Sequence, residues 1–318
     1  MKALVTGGNG FVGREVWRRL NATSGVQAVG SVRSAGGVTD RWAADNLCTV
    51  VPVGDLSAST YWSEALLGVD AVVHAAARVH VMHETGSDPL TAFRAVNVEG
   101  TLNLARQGAA AGVKRFVFIS SVKVNGDSTP SGRAFTEADA PNPQDAYGQS
   151  KHEAEQGLRQ LSADTGMEVV IIRPPLVYGP GVRANFAALM RAVQRGWPLP
   201  LGAVHNQRSL VALSNLVDFI VTCITHPQAA NQTFLVSDGQ DLSTAGLVRG
   251  MAQAAGVPAR SLPVPVWALQ AGASLLGKGD AVQRLCGNLQ VDMSKVRSLL
   301  GWVPPVSVEE GLRRAMAV

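Results

Sequence analysis

Charge and aromatic rings are both scarce in this sequence of 318 residues: Asp, Glu, Lys and Arg make up 16% of it, and Phe, Trp and Tyr 5%. There are three cysteines, Cys48, Cys223 and Cys286, far apart and without a C-x-x-C pair. That leaves no disulfide framework and points to a reducing compartment. Basic residues are dispersed, clustering only in short pairs such as Arg18-Arg19 and Arg313-Arg314, so a nucleic-acid partner is disfavoured. The formal net charge of +4 suits a small anionic ligand equally well. Long hydrophobic runs are missing too. The longest, Leu262–Leu276, is interrupted by Pro263, Pro265, Gln270 and Gly272 and is too short to span a bilayer. Met1–Thr6 leads directly into glycines and offers no apolar core of a secretion signal. The expectation is a cytoplasmic protein with no membrane span. What the chain does have is 46% apolar residues, 33 glycines and 16 prolines: a large core joined by many tight loops, and no intrinsic disorder.

The first 175 residues alternate β-rich runs with helical patterns. Ala3–Val5, Val26–Val32, Thr49–Val53, Ala71–His74, Arg115–Ser120 and Val169–Arg173 are apolar on both faces, as strands of a parallel sheet covered on each side must be. Phe11–Leu20 and Ala92–Ala110 carry apolar residues at helical spacing. The fold class is therefore α/β, a doubly wound parallel sheet of Rossmann type. Residues 1–175 form the dinucleotide-binding unit. Residues 176–318, punctuated by prolines, form a smaller, mostly helical substrate-binding cap, with 206–237 able to cross back to the sheet. Trp197, Trp267 and Trp302 are expected to pack within that cap.

Gly7, Gly10 and Gly13 lie between the first strand and the first helix. Gly7 permits the tight turn, Gly10 lets backbone approach a pyrophosphate, and Gly13 lets helix pack on strand. The N–H groups at the helix start, around Phe11 and Val12, are placed to hold the anion. At the end of the second strand, where NAD-binding chains carry an acid on the ribose, Val29–Ser34 holds none and offers Arg33. A guanidinium pairs with a 2′-phosphate that a carboxylate would repel, so NADP(H) is favoured, with NAD(H) open. Asp55, followed by Leu56, is placed to meet the adenine, or is an ordinary turn residue.

Tyr147 and Lys151 share one helical face at a loop-to-helix junction. A phenol titrates near pH 10, about three units too high for efficient proton transfer at neutrality, and an adjacent ammonium is expected to lower that value. Ser121 ends the run Arg115–Ser121 at the carboxyl end of a strand, placed to donate a hydrogen bond to a substrate oxygen. His80, His83 and Glu84 lack further ligands at zinc-like spacing, so no metal site is expected.

With these motifs in place the chain resembles the extended short-chain dehydrogenase/reductase superfamily, of the nucleotide-sugar epimerase/dehydratase type, over nearly its whole length. His74-Ala-Ala-Ala77, Asn97-Val-Glu-Gly-Thr101 and Arg173-Pro-Pro-Leu-Val-Tyr-Gly-Pro-Gly181 match its segments. The resemblance implies that Ala75, Ala76 and Ala77 line the cofactor, that Asn97 supports the active end of the sheet, and that Pro174 and Val177 meet the nicotinamide. Tyr147 becomes the proton carrier, Lys151 its activator and ribose ligand, and Ser121 the oxygen's hydrogen-bond partner. Asn185 and Arg208 fall where relatives bind the sugar-nucleotide diphosphate, and Arg78, His80 and Lys123 where loops meet the sugar nucleotide. Alternatives are a helix-capping Asn185 and an ion-paired Arg208.

Relatives that dehydrate the hexose carry an Asp-Glu pair after the catalytic hydroxyl. Val122 and Lys123 stand there, which leaves hydride transfer at C4. Ala76–His83 and Ser121–Gly126 also resemble bacterial UDP-4-keto-6-deoxy-N-acetylglucosamine 4-reductases of surface-polysaccharide synthesis. Arg33 tips the expectation toward reduction of a UDP-linked 4-keto sugar. A UDP-hexose 4-epimerase with bound NAD is the alternative, and a non-catalytic NADP(H) sensor a lesser one. A homodimer through the helices near 92–111 and 147–162 would follow by analogy.

Overall fold

The computed structural model describes residues 1–34, 49–79, 88–275 and 279–317. In chain order the elements are β1 (Lys2–Thr6), α1 (Phe11–Asn21), β2 (Gln27–Val32), β3 (Val50–Pro52), α2 (Ser63–Leu66), β4 (Ala71–His74), α3 (Pro89–Arg94), a π-helical segment (Ala95–Gly100) and α4 (Thr101–Ala110). Then come β5 (Arg115–Ile119), a 3-10 turn (Val122–Val124), α5 (Ala146–Thr165), β6 (Glu168–Arg173), β7 (Leu176–Tyr178), α6 (Ala184–Gln194), β8 (Leu210–Ala212), α7 (Leu213–Thr225) and β9 (Thr233–Leu235). The chain closes with α8 (Thr244–Ala254), α9 (Val266–Leu275), α10 (Gly279–Cys286), α11 (Ser294–Leu300) and α12 (Val308–Met316).

Among the described residues the main sheet has seven strands in the order β3-β2-β1-β4-β5-β6-β9, every neighbouring pair parallel. It is a Rossmann-like sheet. Its central strands are apolar on both faces because both faces are covered: every residue of β4 and β5 is buried. On one side Trp17 and Leu20 of α1 pack with Phe219 and Ile220 of α7 and with Val296 of α11. On the other, Leu66, Leu104, Ala154 and Leu158 bring α2, α4 and α5 onto Phe116 and Phe118. Strand order reverses between β1 and β4, and ligands bind such sheets beyond the carboxyl ends of the strands at that point.

After β6 the chain leaves the sheet. β7 and β8 form a separate parallel pair around which α6, α8 and α12 bury Phe186, Met190, Met251 and Leu312. The chain then returns to the main sheet: β9 extends it beside β6, and α7 and α11 pack on its face. Asp238 ties the two parts together. Its carboxylate accepts the Tyr178 hydroxyl (2.7 Å), the Asn215 amide (2.7 Å) and the Ala212 N–H (2.8 Å), while burial pushes its pKa up.

Two expectations change here. The helical pattern over Ala92–Ala110 is not one α-helix, because a π segment separates α3 from α4. Nor do the three tryptophans pack within the cap. Trp302 stacks edge-on to Phe219 (centroids 4.9 Å apart) and donates to Asp218 (2.9 Å) on the sheet side. Trp197 and Trp267 are 55% and 72% exposed, the first beside Pro198 in a loop where Arg195 reaches over its ring. Cys223 is a fully buried core residue, Cys286 is half-buried, and Cys48 lies outside the described residues.

Candidate active site

At Gly7 and Gly13 the turn leaves no room for a side chain. A Cβ on Gly13 would lie 2.3 Å from the Gly7 carbonyl, and one on Gly7 would lie 2.9 Å from the Ala76 nitrogen. Gly7 also has a φ of 67°, which glycine adopts without cost. Gly10 donates to the Gly7 carbonyl (2.7 Å) and precedes α1, whose first turn, with Phe11 and Val12, has no side-chain cap and no acid. Uncapped N–H groups and a positive helix end fit a pyrophosphate. Ala75, Ala76 and Ala77, half-buried, follow β4 against this turn.

Two buried polar residues fix the floor of the cleft. His74, at the end of β4, hydrogen-bonds Thr6 of β1 (2.7 Å) and Thr101 of α4 (2.9 Å). Burial, with a lesser contribution from Lys151, pushes its pKa down to about 3, so it is neutral at physiological pH. Asn97, in the π segment, accepts from the Arg78 N–H (2.8 Å) and donates to the Arg78 carbonyl (3.1 Å) and to Ser150 (3.0 Å). It joins the loop after β4 to α5, and π turns are often found at functional sites. Three residues further on, Gly100 leaves room for Leu56: a Cβ there would meet the Leu56 side chain at 2.7 Å.

Tyr147 and Lys151 lie on the first turns of α5. Asp145 caps this helix by accepting from the Gly148 N–H (2.7 Å). The Lys151 ammonium is buried, donates to the Ile119 carbonyl (2.8 Å), and sits 4.5 Å from the Phe118 ring centre and 5.9 Å from that of Tyr147. Tyr147 is half-buried, with Phe93 edge-on at 6.1 Å. Its phenol departs from expectation. Burial first, and the Asp145 charge second, raise its pKa to about 12. Lys151 is itself pushed down by burial to about 7, opposed by Glu155. A low dielectric penalises both ions, so the ammonium beside the phenol does not dominate.

Ser121 follows β5 and caps the 3-10 turn, its Oγ accepting from the Lys123 N–H (3.2 Å). The Lys123 ammonium ion-pairs with Asp145 and lies 3.5 Å from Asp127. Pro174, at the end of β6, accepts from the Val122 N–H (3.0 Å), and Val177 lies in β7 opposite Val211. Arg208 is held by backbone bonds to Leu242 and donates to the Gly287 carbonyl (3.1 Å). Asn185 is exposed in the first turn of α6 but does not cap it; Arg183 holds that position, and Ala184 has a left-handed φ of 56°. Arg78 lies 5.8 Å over Phe93. His80, with His83 and Glu84, lies outside the described residues, and among those described no group of acidic, His or Cys side chains could hold a metal.

At the adenosine end Arg33 and Asp55 form an ion pair at 2.8 Å, both largely exposed. The sequence places no acid at the end of β2, yet the fold brings one there from the loop after β3. The guanidinium on which an NADP preference rests is thus already engaged by a carboxylate.

Sequence reasoning missed a buried cluster behind the site. Glu155, one turn beyond Lys151, accepts from Ser120 (2.6 Å) and from Arg173 through two bonds (2.9 and 2.6 Å); Arg159 adds a third partner at 3.0 Å. Burial works to raise the Glu155 pKa, but the Arg173 and Ser120 hydrogen bonds hold it below the usual carboxylate range. The nearest signal was the glutamate four residues after Lys151.

A parallel sheet with a glycine turn at its switch point and a Ser–Tyr–Lys set beyond its carboxyl ends defines a dinucleotide-binding enzyme of the short-chain dehydrogenase/reductase class. Residues 3–237 match the NAD dependent epimerase/dehydratase family. The chain is 50% identical over 312 residues to a UDP-glucose 4-epimerase of Vibrio cholerae, covering 98% of this chain and 93% of that one. Its fold matches a Bacillus cereus UDP-glucuronic acid 4-epimerase solved with NAD (TM-score 0.80, 22% identity, 100% and 98% of the two chains covered). It also matches a Thermotoga maritima UDP-glucose 4-epimerase solved with UDP-glucose (TM-score 0.77, 22% identity, 100% and 98% covered). The protein belongs to the NAD dependent epimerase/dehydratase family, of the extended short-chain dehydrogenase/reductase type. Among the described residues no helix is long and apolar enough to cross a membrane.

Proposed function

We propose that this protein is a UDP-hexose 4-epimerase, with NAD held across the glycine turn and a UDP-hexose such as UDP-glucose in the cleft above Ser121 and Tyr147. The observation that carries the reading is the Ser121, Tyr147 and Lys151 set on the elements that follow β5, together with the uncapped start of α1 after the glycine turn, with Val122 and Lys123 where elimination would need an acid and a base. The bound nicotinamide supplies a reversible hydride acceptor for C4 of the sugar. Tyr147 would act from its phenolate form, which the positive charge of an oxidised nicotinamide bound nearby would favour, accepting the proton of the C4 hydroxyl and giving it back when the hydroxyl is restored. Ser121 donates a hydrogen bond to the same oxygen. Arg208 and Asn185 are the candidate partners of the diphosphate. The similarity to the Vibrio cholerae 4-epimerase supports this outcome over net reduction.

A second reading, reduction of a UDP-4-keto-6-deoxy-N-acetylhexosamine by NADPH, is favoured by Arg33 and by the resemblance of Ala76–His83 and Ser121–Gly126 to such reductases. The two separate in one experiment. Purified protein carrying stoichiometric NAD and interconverting UDP-glucose and UDP-galactose without added nucleotide supports epimerisation. Protein that lacks NAD and consumes NADPH only with the 4-keto sugar overturns it. In either case Tyr147→Phe is expected to cut turnover about 10²–10⁴-fold with cofactor binding retained, and unchanged turnover would refute the role given to Tyr147.

A further inference from the structure

Lys123 touches Ser121 with its backbone and the start of α5 with its side chain. Its N–H donates to Ser121 Oγ (3.2 Å), and its ammonium pairs with Asp145, the carboxylate that caps the helix two residues before Tyr147. Its carbonyl is packed so closely on the helix start that a Cβ at Gly148 would come within 2.8 Å of it. We infer that Lys123 is a positioning residue that couples the two hydroxyls, fixing Ser121 through its amide and the Tyr147 turn through its ammonium on Asp145. This rests on the reading of Ser121 and Tyr147 as the groups that handle the sugar oxygen. Lys123 needs no contact with the sugar to act in this way.

The coupling has an electrostatic side. Among the described residues, the charged and titratable groups around Tyr147 include Lys151 on its own helix, Asp145 at the cap, and Lys123 from the 3-10 turn with Asp127 behind it. From α3 the uncharged ring of Phe93 packs on it, with Arg78 over that ring, and Arg94 is taken up by Glu153. Asp145 is the negative charge that opposes ionisation of the phenol. An ammonium in contact with that carboxylate offsets it, and because both are partly buried the pair is weakly screened. Removing Lys123 uncovers the carboxylate.

The test is a set of five variants: Lys123→Met, Lys123→Arg, Asp145→Asn, the double variant Lys123→Met/Asp145→Asn, and Lys123→Met/Asp127→Asn. The Tyr147 phenolate is read by ultraviolet difference titration against Tyr147→Phe, and kcat and KM for UDP-glucose are followed against pH. Lys123→Met is expected to move the phenolate titration to higher pH by about one unit and lower kcat about tenfold at neutral pH, one unit being a tenfold change in ionisation. Lys123→Arg should restore most of the loss. Asp145→Asn in the Lys123→Met background should reverse the shift, and Asp127→Asn should not. An unmoved titration in Lys123→Met overturns the inference. So does a loss expressed only as raised KM with an unchanged pH profile, which would make Lys123 a substrate contact. Should Tyr147→Phe keep full turnover, the catalytic role given to Tyr147 fails, but the titration still decides the coupling.

Discussion

Lys151 and Glu155 stand one helical turn apart on α5, both buried, yet their surroundings differ in kind. Glu155 is surrounded by Ser120, Arg159 and a two-bonded Arg173, and it remains ionised in spite of burial. Among the described residues Lys151 has the Ile119 carbonyl and the rings of Phe118 and Tyr147, and its charge is tenuous near neutral pH. A buried ion with all its partners is a structural joint; one with too few is poised to exchange a proton or to take a further partner. The turn carrying Glu155 locks α5 to β5 and β6, so the turn carrying Lys151 and Tyr147 can be held in place while its own charges stay unsettled.

That contrast can be broken at either turn. The largest effect is expected at the first: Lys151→Met should lower turnover about 10²–10⁴-fold while the protein stays folded at neutral pH, as steady-state kinetics and circular dichroism would show. Arg173→Leu attacks the second by leaving Glu155 buried without its main partner. Urea unfolding should show a loss of about 3–5 kcal/mol, and a change below about 1 kcal/mol would mean that the cluster is not a joint.

A third expectation concerns pH. The folded value of Lys151, about 7, lies below its ordinary 10.5. Between those values the unfolded chain holds a proton that the folded one does not, so this group's contribution to stability rises with pH across that window and is lost as pH falls toward 7. The slope is at most about 1.4 kcal/mol per pH unit, and Lys151→Met should remove it from a series of denaturation curves. The smallest effect belongs to the exposed pair at the adenosine end. Asp55→Asn should raise affinity for NADPH relative to NADH a few-fold, with melting temperature unchanged, and an unchanged ratio would show that Asp55 does not restrain Arg33.

Much of the site could be read along the chain because its signals are local. The strands Ala71–His74 and Arg115–Ile119 announce themselves as apolar runs, and Tyr147 and Lys151 share a face through helical spacing alone. The π segment could not be read this way, because Asn97 leaves the helical pattern to bond Arg78, 19 residues away, and Ser150, 53 residues away. The exposed Trp197 and Trp267 were equally out of reach, since apolar character indicates what a residue can bury and not whether a neighbour arrives to cover it.

Pattern and spacing alone determined the doubly wound sheet, the glycine turn and the hydroxyl–phenol–ammonium set, because each depends on residues that are chain neighbours or recur with a fixed period. Only the tertiary structure decided the charges: that Asp55 meets Arg33, that Lys123 meets Asp145, that Arg173 meets Glu155, and that the Tyr147 phenol is pushed up rather than down. The reason is physical. Ionisation depends on burial and on partners that folding brings from distant parts of the chain, and neither quantity is written in local sequence.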